Sequence, residues 1–317
     1  MGLTENVKQK AIELGFDVVG ITAPSPLNDK HFKFLNDWLA LGYAGRMLYM
    51  RKNLDKRTNP AKLLDGAKSI ICLGLNYTPP IIESDPQDAN ALQGRVANYA
   101  QYEDYHFFIK RQLRKLTDFI ASLAGTDFKF KICVDSAPVP ERALAARAGL
   151  GFIGKNHMLI NPALGPQIFL AEIIANLKLQ TDKPVTDDCS GCNKCLHACP
   201  TGALQPDGQF NANKCISYLT IEYKGDIPPD LADKIHDRLF GCDECVLACP
   251  YQQNAPDCKN KDFKFYPQRA NLNLQHLLEM TEDKFKTEFA DSPIKRPGLQ
   301  LLKRNAQICL ENLSAAK

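Results

Sequence analysis

Eight of the chain's twelve cysteines lie between positions 189 and 249, in two runs that a packed core alone would not require. The first is Cys189-x2-Cys192-x2-Cys195-x3-Cys199, followed by Pro200. The second is Cys242-x2-Cys245-x3-Cys249, followed by Pro250, with Cys215 between the two. Thiolates in this rhythm hold iron–sulfur clusters. Short turns wrap the first three around one cubane, while the fourth points into the next helix and ligates the other. The spacing therefore predicts one four-iron, four-sulfur cluster on Cys189, Cys192, Cys195 and Cys249. It predicts a second on Cys199, Cys215, Cys242 and Cys245, with Cys215 replacing the leading cysteine that the second run lacks. Structural zinc also takes C-x2-C pairs, but it needs neither the further cysteines in this rhythm nor the two prolines. Cys72, Cys133, Cys258 and Cys309 remain, and read as small buried hydrophobes.

Such a module is ferredoxin-like and by itself only moves electrons. More than half of the 317 residues precede Cys189, enough for a catalytic domain, so the clusters read as a wire to a second redox centre. A net charge of +3 with 24% charged residues is an ordinary soluble composition. The start, Met1 to Lys8, lacks the basic and apolar stretches of a signal peptide. No apolar run approaches the ~18 residues needed to span a bilayer. The expectation is a cytoplasmic protein with no membrane partner. In that reducing compartment dense cysteine means metal or catalysis rather than disulfides.

Several elements are legible along the chain. Residues 4–15 read as a helix capped by Thr4, and 17–22 and 69–75 as strands. A proline-rich, acidic loop is expected near 79–90. Ile109, Leu113, Leu116, Ile120 and Leu123 recur at helical spacing across 104–124, with Lys110, Arg111, Arg114 and Lys115 mostly on a solvated face. Residues 128–134 read as a strand ending at Asp135-Ser136, 140–147 as a helix started by Pro140, 167–178 as a strand, and 272–317 as a helical tail. The run Gly149-Leu150-Gly151-Phe152-Ile153-Gly154 has the spacing of a dinucleotide loop, but a helical segment precedes it and Pro162 follows. No strand–turn–helix context surrounds it. The glycines are expected to serve tight turns or a close approach of backbone to a bulky ligand.

Several stretches carry a family resemblance. They are Lys56-Arg57-Thr58-Asn59-Pro60, Asn98-Tyr99-Ala100 with Asp104-Tyr105-His106, and Cys133-Val134-Asp135-Ser136-Ala137-Pro138-Val139-Pro140-Glu141-Arg142. Gly149 through Asn156, the two cysteine runs and Leu219-Thr220-Ile221-Glu222 complete the set. In these, over most of residues 1–310, the chain resembles epoxyqueuosine reductases, the cobalamin-dependent iron–sulfur enzymes of tRNA modification.

The resemblance implies an α+β chain in three parts: a mixed-sheet cobalamin-binding catalytic domain (1–178), a ferredoxin-like two-cluster domain (179–260) and a short helical HEAT-like tail (261–317). It implies that clusters reduce cobalt, and that the epoxide of epoxyqueuosine at the tRNA wobble position becomes the cyclopentene of queuosine, with loss of water. The implied substrates are tRNAs for Asp, Asn, His and Tyr. The implied electron donor is a flavodoxin or ferredoxin, and the expected state is a monomer. Asp135 aligns with the family's proton donor. Chemically, an acid at a strand end suits that role if burial raises its pKa, whereas alone it would read as a turn or cap residue. Arg57, Asn156, His157, Gln167, Ser217 and Asp243 fall in stretches that face cobalamin in the family. No Asp-x-His-x-x-Gly pattern occurs, so no histidine of the chain is expected on cobalt, and cobalamin is expected with its own base displaced.

For RNA, residues 259–304 carry ten Lys or Arg against six Asp or Glu, an excess of four that suits a phosphate backbone or a solvated helical face equally. The tail around Phe289–Arg296 and Arg304–Gln307 resembles the start of a HEAT-like unit, expected to pack on the body because such units need neighbours. Two rival readings share the cofactors or the clusters: a reductive dehalogenase-like corrinoid iron–sulfur enzyme, and a plain ferredoxin-type carrier.

Overall fold

The computed structural model describes residues 2–81 and 92–315. Most of the expected acidic loop lies outside them. The strands are β1 (Val18–Thr22), β2 (Ser69–Asn76), β3 (Gln93–Val96), β4 (Phe130–Cys133), β5 (Phe152–Ile153), β6 (Leu159–Ile160), β7 (Ile168–Ala175), β8 (Arg238–Phe240) and β9 (Asn271–Asn273). The main sheet has the order β1-β2-β7-β4 and is antiparallel at every pairing. β2 and β7 sit at its centre and are buried on both faces, which is why both read as nearly continuous apolar runs rather than alternating ones.

The two faces are covered differently. Alternate side chains, among them Ile71, Leu73, Phe169, Ala171 and Ile173, pack beneath helices Leu3–Glu13 and Tyr105–Ala124. The longer of these turns Phe108, Ile109, Leu113, Leu116 and Ile120 inward, each worth roughly 1.5–3 kcal/mol of burial. Asp104 caps it by accepting from the His106 N–H. The opposite face, with Ile70, Cys72, Cys133 and Ile174, lies under helix Glu141–Arg147, which contributes Leu144 and Ala145. Thr4 is not a cap: the helix starts one residue earlier, and the Thr4 hydroxyl accepts from the Gln180 N–H at 3.0 Å instead.

Mixed pairing occurs in the smaller sheet, β8-β3-β9, where β3 runs parallel to β8 and antiparallel to β9. This sheet takes one strand from each of the segments 1–178, 179–260 and 261–317. The core beneath it does the same, joining Trp38, Ala212, Leu219, Phe240, Leu277 and Leu302. The tail is helical at Leu274–Glu279, Glu282–Glu288 and Leu299–Ala315. Its last helix docks through Asn305, whose buried amide donates to the carbonyls of Thr220 and Leu239 at 2.8 and 3.0 Å. Among the described residues no helix is long and apolar enough to cross a membrane.

Candidate active site and cluster centres

The cysteines separate into two groups. Cys189, Cys192, Cys195 and Cys249 line one small cavity together with Lys155, Asn156, Ile160, Pro250 and Tyr251. The Cys195 thiol is pushed up by burial and then by Cys189, Cys192 and Cys249. In the other group, burial pushes the Cys245 thiol well up, with Cys215, Cys242 and Cys199 adding to it. Thiols that raise one another's pKa in this way ionise together only when a metal compensates them. Short helices Lys194–Ala198 and Glu244–Leu247 carry the central cysteines of each run and pack against each other.

The glycine run ends between the two groups. Gly151 has no room for a side chain, since a Cβ there would lie 2.2 Å from the Ile160 carbonyl oxygen. At Gly149, with φ +82°, it would lie 2.5 Å from that of Lys183. These glycines thus serve tight turns and backbone-to-backbone packing, through which the β5–β6 hairpin forms. The hairpin's turn presents Lys155, whose N–H points at Cys189 Sγ at 3.4 Å, and Asn156, whose side chain donates to the Cys245 carbonyl at 3.2 Å. One loop therefore touches both cysteine groups.

Asp135 follows β4 with a left-handed backbone, φ 55°, and its carboxylate is half-exposed. Tyr105 donates to Oδ2 at 3.1 Å, and His106 Nε2 lies 3.1 Å from the same oxygen. His106 Nδ1 meets the buried Asp104 carboxylate at 2.8 Å. Burial disfavours a charged ring, but the two carboxylates outweigh it and raise the His106 pKa to about 9. The reverse holds for Asp135. The His106 hydrogen bond lowers its pKa against the effect of burial, with Tyr105 and Arg296 helping. The expectation that burial raises the Asp135 pKa is therefore corrected: its carboxyl is ionised at neutral pH. The raised acid is its neighbour Glu141, which accepts from the Asp135 N–H at 2.6 Å and is pushed to about 7 by burial and by the Asp135 charge.

Arg57 donates to the carbonyls of Tyr49 and Lys52, and its charge bears on Glu141. Tyr99 stands between Asp243 and Asp135 and senses both, together with Arg296 and Glu222, which pair at 2.7 Å. Asp243 accepts from the Asn98 N–H at 2.6 Å, and burial pushes it up to about 6. His157, at φ 59°, lies against Phe34 and Phe210; burial and the Arg142 charge bring it down to about 4, so the ring is neutral. Ser217 is half-buried, and its N–H points at the Cys215 sulfur. Gln167, just before β7, is fully buried with neither amide atom hydrogen-bonded. Tyr105, His106 and Glu141 stand in the stretches that carried the resemblance, but nothing in one dimension marked them as partners of Asp135.

Cys133 is buried, its thiol pushed to about 12, and Cys72 and Cys309 are buried too, as expected of small hydrophobes, whereas Cys258 is only partly buried. The basic tail is partly spent internally. Arg269 is buried against Asp291 at 2.6 Å, and Arg304 donates to the carbonyls of Leu219, Tyr223 and Gly225.

Residues 57–136 match the family model described as "Epoxyqueuosine reductase QueG, DUF1730", and residues 188–252 match "4Fe-4S double cluster binding domain". An epoxyqueuosine reductase of Leadbetterella byssophila is 41% identical over 302 residues, covering 95% of this chain and 96% of the relative. A crystal structure of an epoxyqueuosine reductase with an epoxyqueuosine-modified tRNA-Tyr stem loop superposes with a TM-score of 0.92 at 34% identity, over 99% of this chain and 82% of that one. A Bacillus subtilis epoxyqueuosine reductase, described with its catalytic aspartate loop swung out of the active site, gives 0.91 at 33% identity with the same coverage. The chain belongs to the epoxyqueuosine reductase family.

Proposed function

We propose that this chain reduces epoxyqueuosine to queuosine at the wobble position of tRNAs for Asp, Asn, His and Tyr, drawing electrons through two 4Fe-4S clusters to bound cobalamin. The observation that carries this reading is the presence in one chain of a half-exposed, hydrogen-bonded acid, Asp135, and a loop, Lys155–Asn156, that touches both cysteine groups. In this reading residues 1–178 bind the cofactor and substrate base, 179–260 hold the clusters, and 261–317 brace them. The clusters sit on Cys189, Cys192, Cys195 and Cys249, and on Cys199, Cys215, Cys242 and Cys245.

Cobalamin fits the residues present. The orphaned amide of Gln167 needs a donor and an acceptor, and a corrin rimmed with amide side chains offers both. Arg57, Asn156, His157, Ser217 and Asp243 would hold the rest of it. When bound, cobalamin supplies reduced cobalt that is nucleophilic toward an epoxide carbon. The chain's own residues do the remainder. Asp135, ionised at rest, first takes up a proton and then delivers it to the departing oxygen. His106, protonated and anchored on Asp104, restrains the Asp135 carboxylate, and Tyr105 fixes its orientation by stacking on Phe169 with ring centroids 4.3 Å apart. Tail lysines that make no ion pair among the described residues, such as Lys284, Lys286 and Lys303, would meet the phosphates.

The cytoplasm is the proposed compartment, flavodoxin or ferredoxin the proposed donor, and a monomer the proposed state. The dehalogenase and carrier readings differ in substrate. Anaerobically purified protein, loaded with iron, sulfide and cobalamin and given a chemical reductant, should convert an epoxyqueuosine-bearing stem loop to the queuosine form. Failure of the fully loaded protein to do so would overturn the proposal.

A further inference from the structure

The helical tail reaches Asp135 through a chain of direct contacts. Its turn Pro293–Lys295 lies beside the first turn of helix Tyr105–Ala124, where the Lys295 ammonium is 3.4 Å from Asp104 Oδ2. The other oxygen of that carboxylate, Oδ1, accepts from the His106 N–H and meets His106 Nδ1 at 2.8 Å. The far nitrogen of the same ring, Nε2, lies 3.1 Å from Asp135 Oδ2. Lys295, Asp104, His106 and Asp135 thus stand in one unbroken line, alternating in charge when the ring is protonated.

An exposed lysine pair is ordinarily worth little. This one is built differently. Only 8% of the Asp104 side chain is exposed, so its second oxygen depends on a protein partner. Lys295 is itself pinned: Nζ donates to the Ala290 carbonyl at 2.9 Å and lies 5.0 Å over the Phe107 ring. The backbone repeats the link, since the Asp104 N–H donates to the Asp291 carbonyl at 2.6 Å. Arg269 and Tyr266 fix the Asp291 carboxylate in turn. Burial alone would raise the Asp104 carboxyl, but the His106 contacts and then the Lys295 charge bring it below its ordinary value. The last torsion of an aspartate is soft, so one contact leaves its carboxyl plane free to turn. A second contact, on Oδ2, fixes the direction in which Oδ1 meets the imidazole.

We propose that Lys295 is a positioning residue of the reaction: by holding Oδ2 of Asp104 it sets the His106 ring against Asp135, so the tail helps to present the proton donor. The inference rests on the reading of Asp135 as that donor. It gives the tail a part in the chemistry besides bracing the cluster domain.

The charged and titratable groups around His106 come from each element packed against it. Asp104 and Tyr105 stand on its own helix, Asp135 follows β4, and Glu141 lies on helix Glu141–Arg147. From the tail, Lys295 stands behind Asp104 and Arg296 acts on Asp135. Burial opposes a charged ring, and the two carboxylates overcome it. A slackened Asp104 would hold the ring's proton less well, so His106 would lose it at lower pH. A lysine acting only as a nearby positive charge would do the reverse, because its removal favours a second cation. The two roles therefore differ in sign.

The test follows the His106 ring by NMR across pH in the unmodified protein, Lys295→Met and Lys295→Arg, and then measures turnover of the epoxyqueuosine stem loop by the cofactor-loaded proteins. In Lys295→Met, His106 should titrate at lower pH and the alkaline limb of kcat should move down with it. Its kcat should fall about tenfold, short of the roughly 100-fold that a 1 Å misplacement can cost, with KM unchanged. Lys295→Arg should recover most of the rate. In an Asp104→Asn background, Lys295→Met should shift His106 no further. The titration needs no turnover, so a shift in a protein that never converts the stem loop would keep the contact chain and sink the functional reading instead. An unmoved or raised His106 titration in Lys295→Met, an equal shift in the Asp104→Asn background, or a rise in KM with kcat untouched, as for a lysine that only meets RNA phosphate, would overturn the proposal.

Discussion

Replacing Asp135 by Asn tests the site at two levels at once. The change keeps the size of the side chain but removes its charge, which is what His106 and Tyr105 both address. His106 is held at about 9 instead of 6.5 by two carboxylates acting against burial. That rise corresponds to roughly 3 kcal/mol in favour of the charged ring. Asp135 is one of these two carboxylates, so in Asp135→Asn the ring should titrate at lower pH. The sign is fixed: below the folded pKa the imidazolium donates to the carboxylate, and that bond weakens as pH rises through about 9. Histidine-labelled protein followed by NMR across pH gives the value directly. Turnover should fall by roughly 100- to 10,000-fold, as for loss of a positioned proton donor, while iron and cobalamin contents stay unchanged. A His106 pKa unmoved by the substitution would refute the hydrogen-bonded pair, and full turnover would remove Asp135 from the chemistry.

Other expected outcomes follow from single contacts. Cys215→Ala should lose one cluster and keep the other, halving iron per chain with the remaining absorbance still cluster-like; unchanged iron would contradict the crossed ligand assignment. In Gly151→Ala the new Cβ would meet the Ile160 carbonyl oxygen at 2.2 Å, costing about 1–3 kcal/mol or more and disturbing the hairpin turn that touches both cysteine groups. Iron retention on mild heating should therefore drop, and a variant that keeps its clusters as well as the unmodified protein argues against that packing. Asn305→Leu leaves two buried carbonyls without donors, at about 1–3 kcal/mol each. A lowered melting temperature is expected, and an unaltered one would mean that the last helix is not held as described.

What could be read from the sequence is what the chain states locally. Cluster ligands are spaced by the geometry of short turns, so the two cysteine runs, with Cys215 as the candidate that completes the second, could be proposed before any fold. The long helix was equally plain, because Ile109, Leu113, Leu116 and Ile120 lie on one face. Properties that depend on distant partners were not visible. The proton-donor role of Asp135 was made conditional on burial raising its pKa, yet His106, 29 positions earlier, lowers it and Glu141 is raised in its place. Thr4 looked like a cap but serves Gln180 across the sheet edge. The tail's positive charge looked free, yet Arg269, Arg296 and Arg304 are tied to Asp291, Glu222 and backbone carbonyls. Glu172 did leave a signal, an acid inside an apolar strand, although only the sheet register shows that it shares a rung with Cys72 and Cys133. The three-stranded sheet is the clearest case of information absent from local pattern: three short strands, far apart in the chain, are defined by one another.

The most direct test of the central claim is the nucleoside content of tRNA from cells lacking this chain. Epoxyqueuosine should accumulate and queuosine should disappear, and re-expression of the intact protein, but not of Asp135→Asn, should restore queuosine. Normal queuosine with no build-up of its epoxide, in cells with no second enzyme for this step, would contradict the assignment.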